Sequence, residues 1–238
     1  MMKAKGCATI KAPCHVHWSE SERMAVVQIG KAASSTLGHF FKKTFEDAEM
    51  RDCARLPRDA IVGAFFRDPV EHFFSAYEEA VYRIVNQAKS RAKDDMVPAM
   101  IHQDIEGYND WLKYWKGSKT ATQTFYNYVL SGHNVERPFD THLHRQSSRV
   151  ESLKWINWVG RVSDLTEDWA RFLSFARNRR GGQGSLATSS PDELPKEREN
   201  KWRHIFPAET PANVMKKICE HVEQDFRCLG LQSQWCSY

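Results

Sequence analysis

Two stretches of this chain follow the same pattern: a short apolar run, a polar turn, then apolar residues at helical spacing. The first is MAVVQIGKAASSTL (Met24 to Leu37) and the second IVGAFFRDPVEHFFSAY (Ile61 to Tyr77). An uninterrupted apolar run of this length suits a strand buried on both faces, and such strands belong to parallel sheets covered by helices on either side. A strand, a helix and a second strand of the same sheet connect with a right-handed crossover, so both polar turns fall at one end of the sheet. Ligands of open α/β sheets bind at that end. The expected fold class is α/β: a single domain with a central parallel sheet flanked by helices and a P-loop-like phosphate-binding turn.

The first apolar run ends at Gly30, and helical spacing resumes with Leu37, Phe40, Phe41 and Phe45, which leaves GKAASS as the turn. Small residues let backbone N–H groups converge on an oxyanion at the positive end of a helix dipole. Gly30, Lys31, Ala32, Ala33, Ser34, Ser35 and Thr36 are therefore candidate phosphate contacts, with hydroxyl donors from the last three and a charge from Lys31. An ordinary strand-to-helix turn with a serine cap would use the same residue types, so the turn alone leaves both readings open. It is not a Walker A loop. That motif needs lysine directly before Ser or Thr and a glycine where Ala25 stands, which counts against ATP or GTP hydrolysis and against a nucleotide-dependent kinase.

The second run ends in Arg67, followed by Asp68 as an N-cap and Pro69 at the first helical position. Val70, Phe73, Phe74, Tyr77, Val81, Ile84 and Val85 then keep helical spacing. An arginine at a strand tip can fork onto a phosphate, and Ser75 can add a hydroxyl to the same group. Alternatively Arg67 pairs with Asp68 or a helix end. The two turns, one strand-helix unit apart, suggest a nucleotide that carries phosphates at both ends.

IGKAASSTL resembles the 5′-phosphosulfate loop of sulfotransferases that use 3′-phosphoadenosine 5′-phosphosulfate (PAPS), and RDPVEHFFSAY resembles their 3′-phosphate segment. The likeness is closest to the carbohydrate branch of that family. FDTHLHRQ with WVGRVSDLTEDWARFL (Phe139 to Leu173), and VMKKICEHVEQDFRCLGL (Val214 to Leu231), also match it. Gly30 stands where the family usually has proline, and His72 where it often has a second arginine.

The resemblance implies a PAPS-dependent sulfotransferase that moves a sulfuryl group in line to a hydroxyl, most simply of a carbohydrate, without a metal. It implies that Lys31 neutralises the leaving phosphate, that Arg67 and Ser75 grip the 3′-phosphate, and that His142 takes the acceptor proton. An imidazole with a reference pKa of about 6.5 suits that last task. His39, His144 and the carboxylate of Glu46 are rival bases, and Arg145 and Gln146 are further candidate contacts to acceptor or nucleotide. Family members often fold a basic, glycine-containing loop over the nucleotide, which would bring Arg179 and Arg180 to the 3′-phosphate. A binding module that kept the cradle without catalysis is the competing reading.

With 238 residues, 41% of them hydrophobic, the chain can bury one sizeable core. The expected organisation is a polar leader (1–23), a catalytic domain (24–231) and a short tail (232–238). Cys14, His15 and His17 are assigned no chemistry, their stretch reading as a loose leader or an edge strand. A formal net charge of +4 suits a polyanionic ligand without requiring nucleic acid. No run approaches the ~18 apolar residues of a membrane span, and MMKAKGCATIKAPCHVHW lacks the apolar stretch of a signal peptide. The expectation is a soluble chain, with the cytoplasm favoured over a secretory lumen. The six cysteines contain no CxxC pair, so zinc and redox motifs are not indicated, while disulfides stay open.

Aromatic residues at Tyr108, Trp111 and Trp115 suggest a helix over 105–115, and further helices are expected at 122–130 and 211–226. A strand is expected within 155–162, then a helix opened by Asp164 with Glu167 in a capping box. The stretch from Asn178 to Asn200, rich in Gly, Ser and charge, reads as a surface loop.

Overall fold

The protein is described by a computed structural model covering residues 13–88, 119–131, 143–150, 153, 155–181 and 207–236. The expected helix at 105–115, His142, and most of the 178–200 loop lie outside the described residues. Five strands form one sheet: β1 (His15–Ser19), β2 (Met24–Val27), β3 (Glu49–Asp52), β4 (Ile61–Phe66) and β5 (Trp158–Arg161). The helices are α1 (Ser34–Thr44), α2 (Pro69–Ala88), α3 (Lys119–Leu130), α4 (Gln146–Val150), α5 (Leu165–Arg179) and α6 (Ala212–Leu229).

The sheet order is β3-β1-β2-β4-β5. Strands β2, β4 and β5 are parallel, with Val26 opposite Gly63 and Ala64 opposite Val159. All six residues of β4 are buried, as its uninterrupted apolar sequence requires for a central parallel strand. The sheet continues through β1 and β3, both antiparallel. Residues 15–19 therefore belong to the sheet, with Val16 and Trp18 buried. Beyond β1, the edge strand β3 carries Glu49, Arg51 and Asp52, and charge of this kind discourages further strand pairing.

Helices α1 and α5 cover one face, where Phe40, Phe41, Trp169 and Phe172 pack on Met24, Val26 and Phe65. Two glycines allow this close approach. A Cβ on Gly63 would meet the Phe172 ring at 2.9 Å, and one on Gly160 would meet Phe65 at 2.6 Å. The opposite face carries Val27, Val62, Ala64 and Phe66 against Val150, Leu153 and Leu229. A further cluster joins α2, α3 and α6 through Phe73, Phe74, Tyr77, Phe125, Ile218 and Val222. Asp164 begins α5 without a side-chain cap, because a short 3₁₀ turn (Val162–Asp164) runs directly into the helix. Asp168 instead reaches back to accept the Arg161 N–H at 2.7 Å.

Disulfides join Cys14 to Cys53 and Cys219 to Cys236, and Cys228 is also disulfide-bonded. The first ties the approach to β1 to the turn after β3. The second returns the tail to α6, where Trp235 packs against the helical cluster, so the chain through Cys236 is part of the domain.

Candidate functional site

Past Val27 the chain leaves the sheet through a tight turn, in which the Ala32 N–H donates to the Ile29 carbonyl at 3.1 Å. Lys31 (φ 61°) and Ala33 (φ 55°) have left-handed backbones, whereas Gly30 does not. Negative then positive φ at the two central residues is the type II pattern, whose first central position also suits proline. Glycine in place of the family's proline thus leaves the turn intact. A left-handed conformation costs an ordinary residue about 1–2 kcal/mol, and two of them in three positions mark a turn held by more than its own preference. Alternating backbone handedness of this kind forms a concave nest of N–H groups that attracts anions.

Helix α1 opens directly from this turn. Its N-cap is Ala33, with no side-chain cap, so the first N–H groups of Ser34, Ser35 and Thr36 have no capping side chain competing for them. A serine cap, the ordinary alternative for this sequence, is therefore not what forms.

The second turn adjoins the first. Asp68 caps α2, accepting from the N–H groups of Val70 (2.9 Å) and Glu71 (3.1 Å), with Pro69 at the first helical position. Arg67 projects from the tip of β4, its Nη1 3.5 Å from the Lys31 carbonyl and its Nε 3.4 Å from a Glu71 carboxylate oxygen. The Lys31 ammonium lies 3.2 Å from Glu79, midway along α2. Ser75 is buried on the same helix.

His72 fastens the two turns together. Its Nε2 lies 2.8 Å from the Gly30 carbonyl, which can only accept, so Nε2 carries the hydrogen. Burial, reinforced by the positive charges of Arg67, Arg149 and Lys31, lowers the His72 pKa to about 3 and keeps the ring neutral. Where the resembling family often carries arginine, this chain has an uncharged strut.

Behind Arg67, the Gln146 side chain accepts from the Arg67 N–H and donates to the Arg67 carbonyl, each at 2.9 Å. Arg145 donates to the His221 carbonyl at 2.6 Å and to Gln224. Both side chains proposed as acceptor or nucleotide contacts are thus engaged within the protein.

The other predicted residues separate clearly. Arg179 and Arg180 end α5, and α5 runs back from β5 to the opposite end of the sheet. Arg180 pairs there with Glu22 in the β1–β2 turn at 2.6 Å, and the Arg179 guanidinium lies over the Phe175 ring. Helix direction therefore places the two arginines away from the cradle. Glu46 follows the C-terminus of α1, about 16 Å along an 11-residue helix from the cradle. His39 is exposed on α1, and His144 stands two residues before Gln146.

Sequence reasoning noted His72 only as a departure and missed Glu79 altogether. A usable signal was present, because His72, Ser75 and Glu79 form a polar stripe at i, i+3 and i+7 along α2. Among the described residues no cluster of His, Cys, Asp or Glu could hold a metal ion.

A family model described as the Sulfotransferase family matches residues 15–232, beginning at the first residue of β1. Comparison with curated proteins returns no match, and comparison with solved structures returns none either. With that match spanning nearly the whole chain, over a mixed sheet whose parallel strands carry both polar turns at one end, the chain belongs to the sulfotransferase family.

Proposed function

We propose that the protein transfers a sulfuryl group from PAPS to a hydroxyl, with a carbohydrate as acceptor. The adjacency of the two turns carries the reading. Lys31, Arg67 and the uncapped start of α1 stand at one sheet end, joined by the His72–Gly30 hydrogen bond. In this reading each of the two adjoining turns takes one of the nucleotide's two phosphate-bearing ends.

In this reading the turn from Gly30 to Thr36 holds the 5′-phosphosulfate, and Arg67 with Ser75 holds the 3′-phosphate. The donor supplies an activated sulfur whose bond to the 5′-phosphate oxygen breaks as the bond to the acceptor oxygen forms. Negative charge then grows on the phosphate, and the Lys31 ammonium is placed to neutralise it. Glu79 balances that ammonium in the meantime. His142 takes the acceptor proton. The carbohydrate acceptor rests on the resemblance of the motifs, and the disulfides support it by suiting an oxidising compartment rather than the cytoplasm.

Thermal shift and transfer assays test this. PAPS and its desulfated product 3′-phosphoadenosine 5′-phosphate (PAP) should raise Tm strongly while ATP does not. Lys31→Ala should lower kcat by roughly 10²–10³, the typical loss of a preorganised charge-stabilising group. Equal stabilisation by ATP would overturn the donor assignment. Full transfer activity in both Lys31→Ala and His142→Ala would overturn the mechanism.

A further inference from the structure

Arg67 stands one residue past the end of the sheet. Strand β2 pairs with β4 only as far as Gly63, and β5 only as far as Phe66, so neither neighbour serves Arg67. Its N–H and C=O nevertheless need partners. One side chain supplies both: the fully buried Gln146 amide accepts from the N–H and donates to the carbonyl, in the manner of an adjoining strand.

Gln146 is fixed in turn. It opens the short helix α4, whose first N–H groups are claimed by one carboxylate. Asp225 accepts from the N–H of Gln146 at 3.1 Å, from the N–H of Ser147 at 2.8 Å and from the Ser147 hydroxyl at 2.6 Å. Asp225 belongs to α6 and is completely buried. Arg145 anchors the same segment to α6 through the His221 carbonyl and Gln224. A continuous chain of hydrogen bonds therefore runs from α6 through α4 to the backbone of Arg67.

We propose that Gln146 is a positioning residue for the 3′-phosphate, aiming Arg67 by replacing its missing strand partner, and that Asp225 sets Gln146. This rests on the donor site proposed above. The guanidinium would keep its charge without the amide, but the backbone carrying it would lose its fixed direction, and misplacement of about 1 Å is costly to a forked contact.

The 3′-phosphate gives a readout that a purely structural role would not move. Calorimetry should compare PAP with adenosine 5′-monophosphate, which lacks that phosphate, on the wild type, Gln146→Ala and Asp225→Asn. The expected result is a loss of about tenfold in PAP affinity in Gln146→Ala, with adenosine monophosphate affinity changed less than about twofold. Asp225→Asn should shift the same ratio in the same direction. It also provides the measurement if Gln146→Ala does not fold. If the wild type prefers PAP and the variants weaken both ligands equally, or neither, Gln146 does not position Arg67. If the wild type itself shows no preference for PAP, the donor reading fails, and this inference fails with it.

Discussion

Replacing His72 by glutamine should flatten the protein's acid sensitivity while leaving the cradle assembled at neutral pH. Glutamine places an amide nitrogen where the histidine Nε2 stands, so it can still donate to the Gly30 carbonyl. What it removes is a titration. The folded-state pKa of His72 is about 3 against an ordinary value of 6.5, so the fold favours the neutral ring. This contribution is complete above the unfolded-state pKa and is lost as pH falls below about 6.5, because the unfolded chain then binds a proton that the native state refuses. At pH 5 the loss is about 2 kcal/mol. His221, buried against Phe73 with a pKa lowered to about 4, loses a similar ~2 kcal/mol over the same window. Burial raises the carboxyl of Asp225, which works in the opposite sense: protonation of the native state at low pH returns part of what the histidines lose. Urea unfolding at pH 7.5 and pH 5 should therefore show a steep drop for the wild type and a drop smaller by about 2 kcal/mol for His72→Gln. Parallel profiles, or a His72 resonance titrating near its ordinary value, would refute the neutral strut.

Two further outcomes follow from packing and covalent ties. Gly38→Ala should destabilise by about 1–3 kcal/mol, because its Cβ would stand 2.7 Å from the buried His17 ring, and additional removal of that ring (His17→Ala) should recover much of the loss. Additive effects of the two substitutions would count against the contact. Replacing Cys219 and Cys236 by serine opens a loop of sequence separation 17 and should cost about 3 kcal/mol in unfolding free energy, measured without reductant; an unchanged midpoint would show that the bond does not constrain the chain.

The strand-turn-helix units were legible because their signals are local. Six apolar residues ending at Phe66, an Asp-Pro helix start and helical spacing on either side of the turns fix both units and their shared sheet end. Strand β1 was legible only as an alternative to a loose leader, and then as an edge strand: HVHWS is short, with two histidines and flanking polar residues, although Val16 and Trp18 alternate as a strand's should. Membership of the sheet comes only from pairing with β2 and β3. Arg179 and Arg180 show a different failure. The family resemblance suggested a loop over the nucleotide, yet a helix following a parallel strand runs back along the sheet, so its last turn belongs at the far end. Cysteine pairing was illegible in principle, since bonds such as Cys14–Cys53 depend on which edges meet in space.

Among the described residues three non-glycine positions have left-handed backbones, and two of them share the turn after β2, the third being Arg23 between β1 and β2. Lys31 and Ala33 take conformations that ordinary residues avoid, and α1 begins without a side-chain cap. His72 is buried among cations, and Lys31 shares a partly enclosed ion pair with Glu79. The neighbouring turn is built conventionally, with Asp68 and Pro69 opening α2, and Gly230 closes α6 in a left-handed cap. A sequence selected only to fold would gain by placing glycine at the left-handed positions and a better hydrogen-bonding residue before α1. The exceptions make sense together if the turn exists to present backbone N–H groups and a lysine to an anion, with the rest of the structure supplying the restraint. Asp225 extends that restraint from the far end of the chain, through Gln146 to Arg67. Two left-handed residues in one turn, braced from a distance, are expected of a site held for binding rather than for stability.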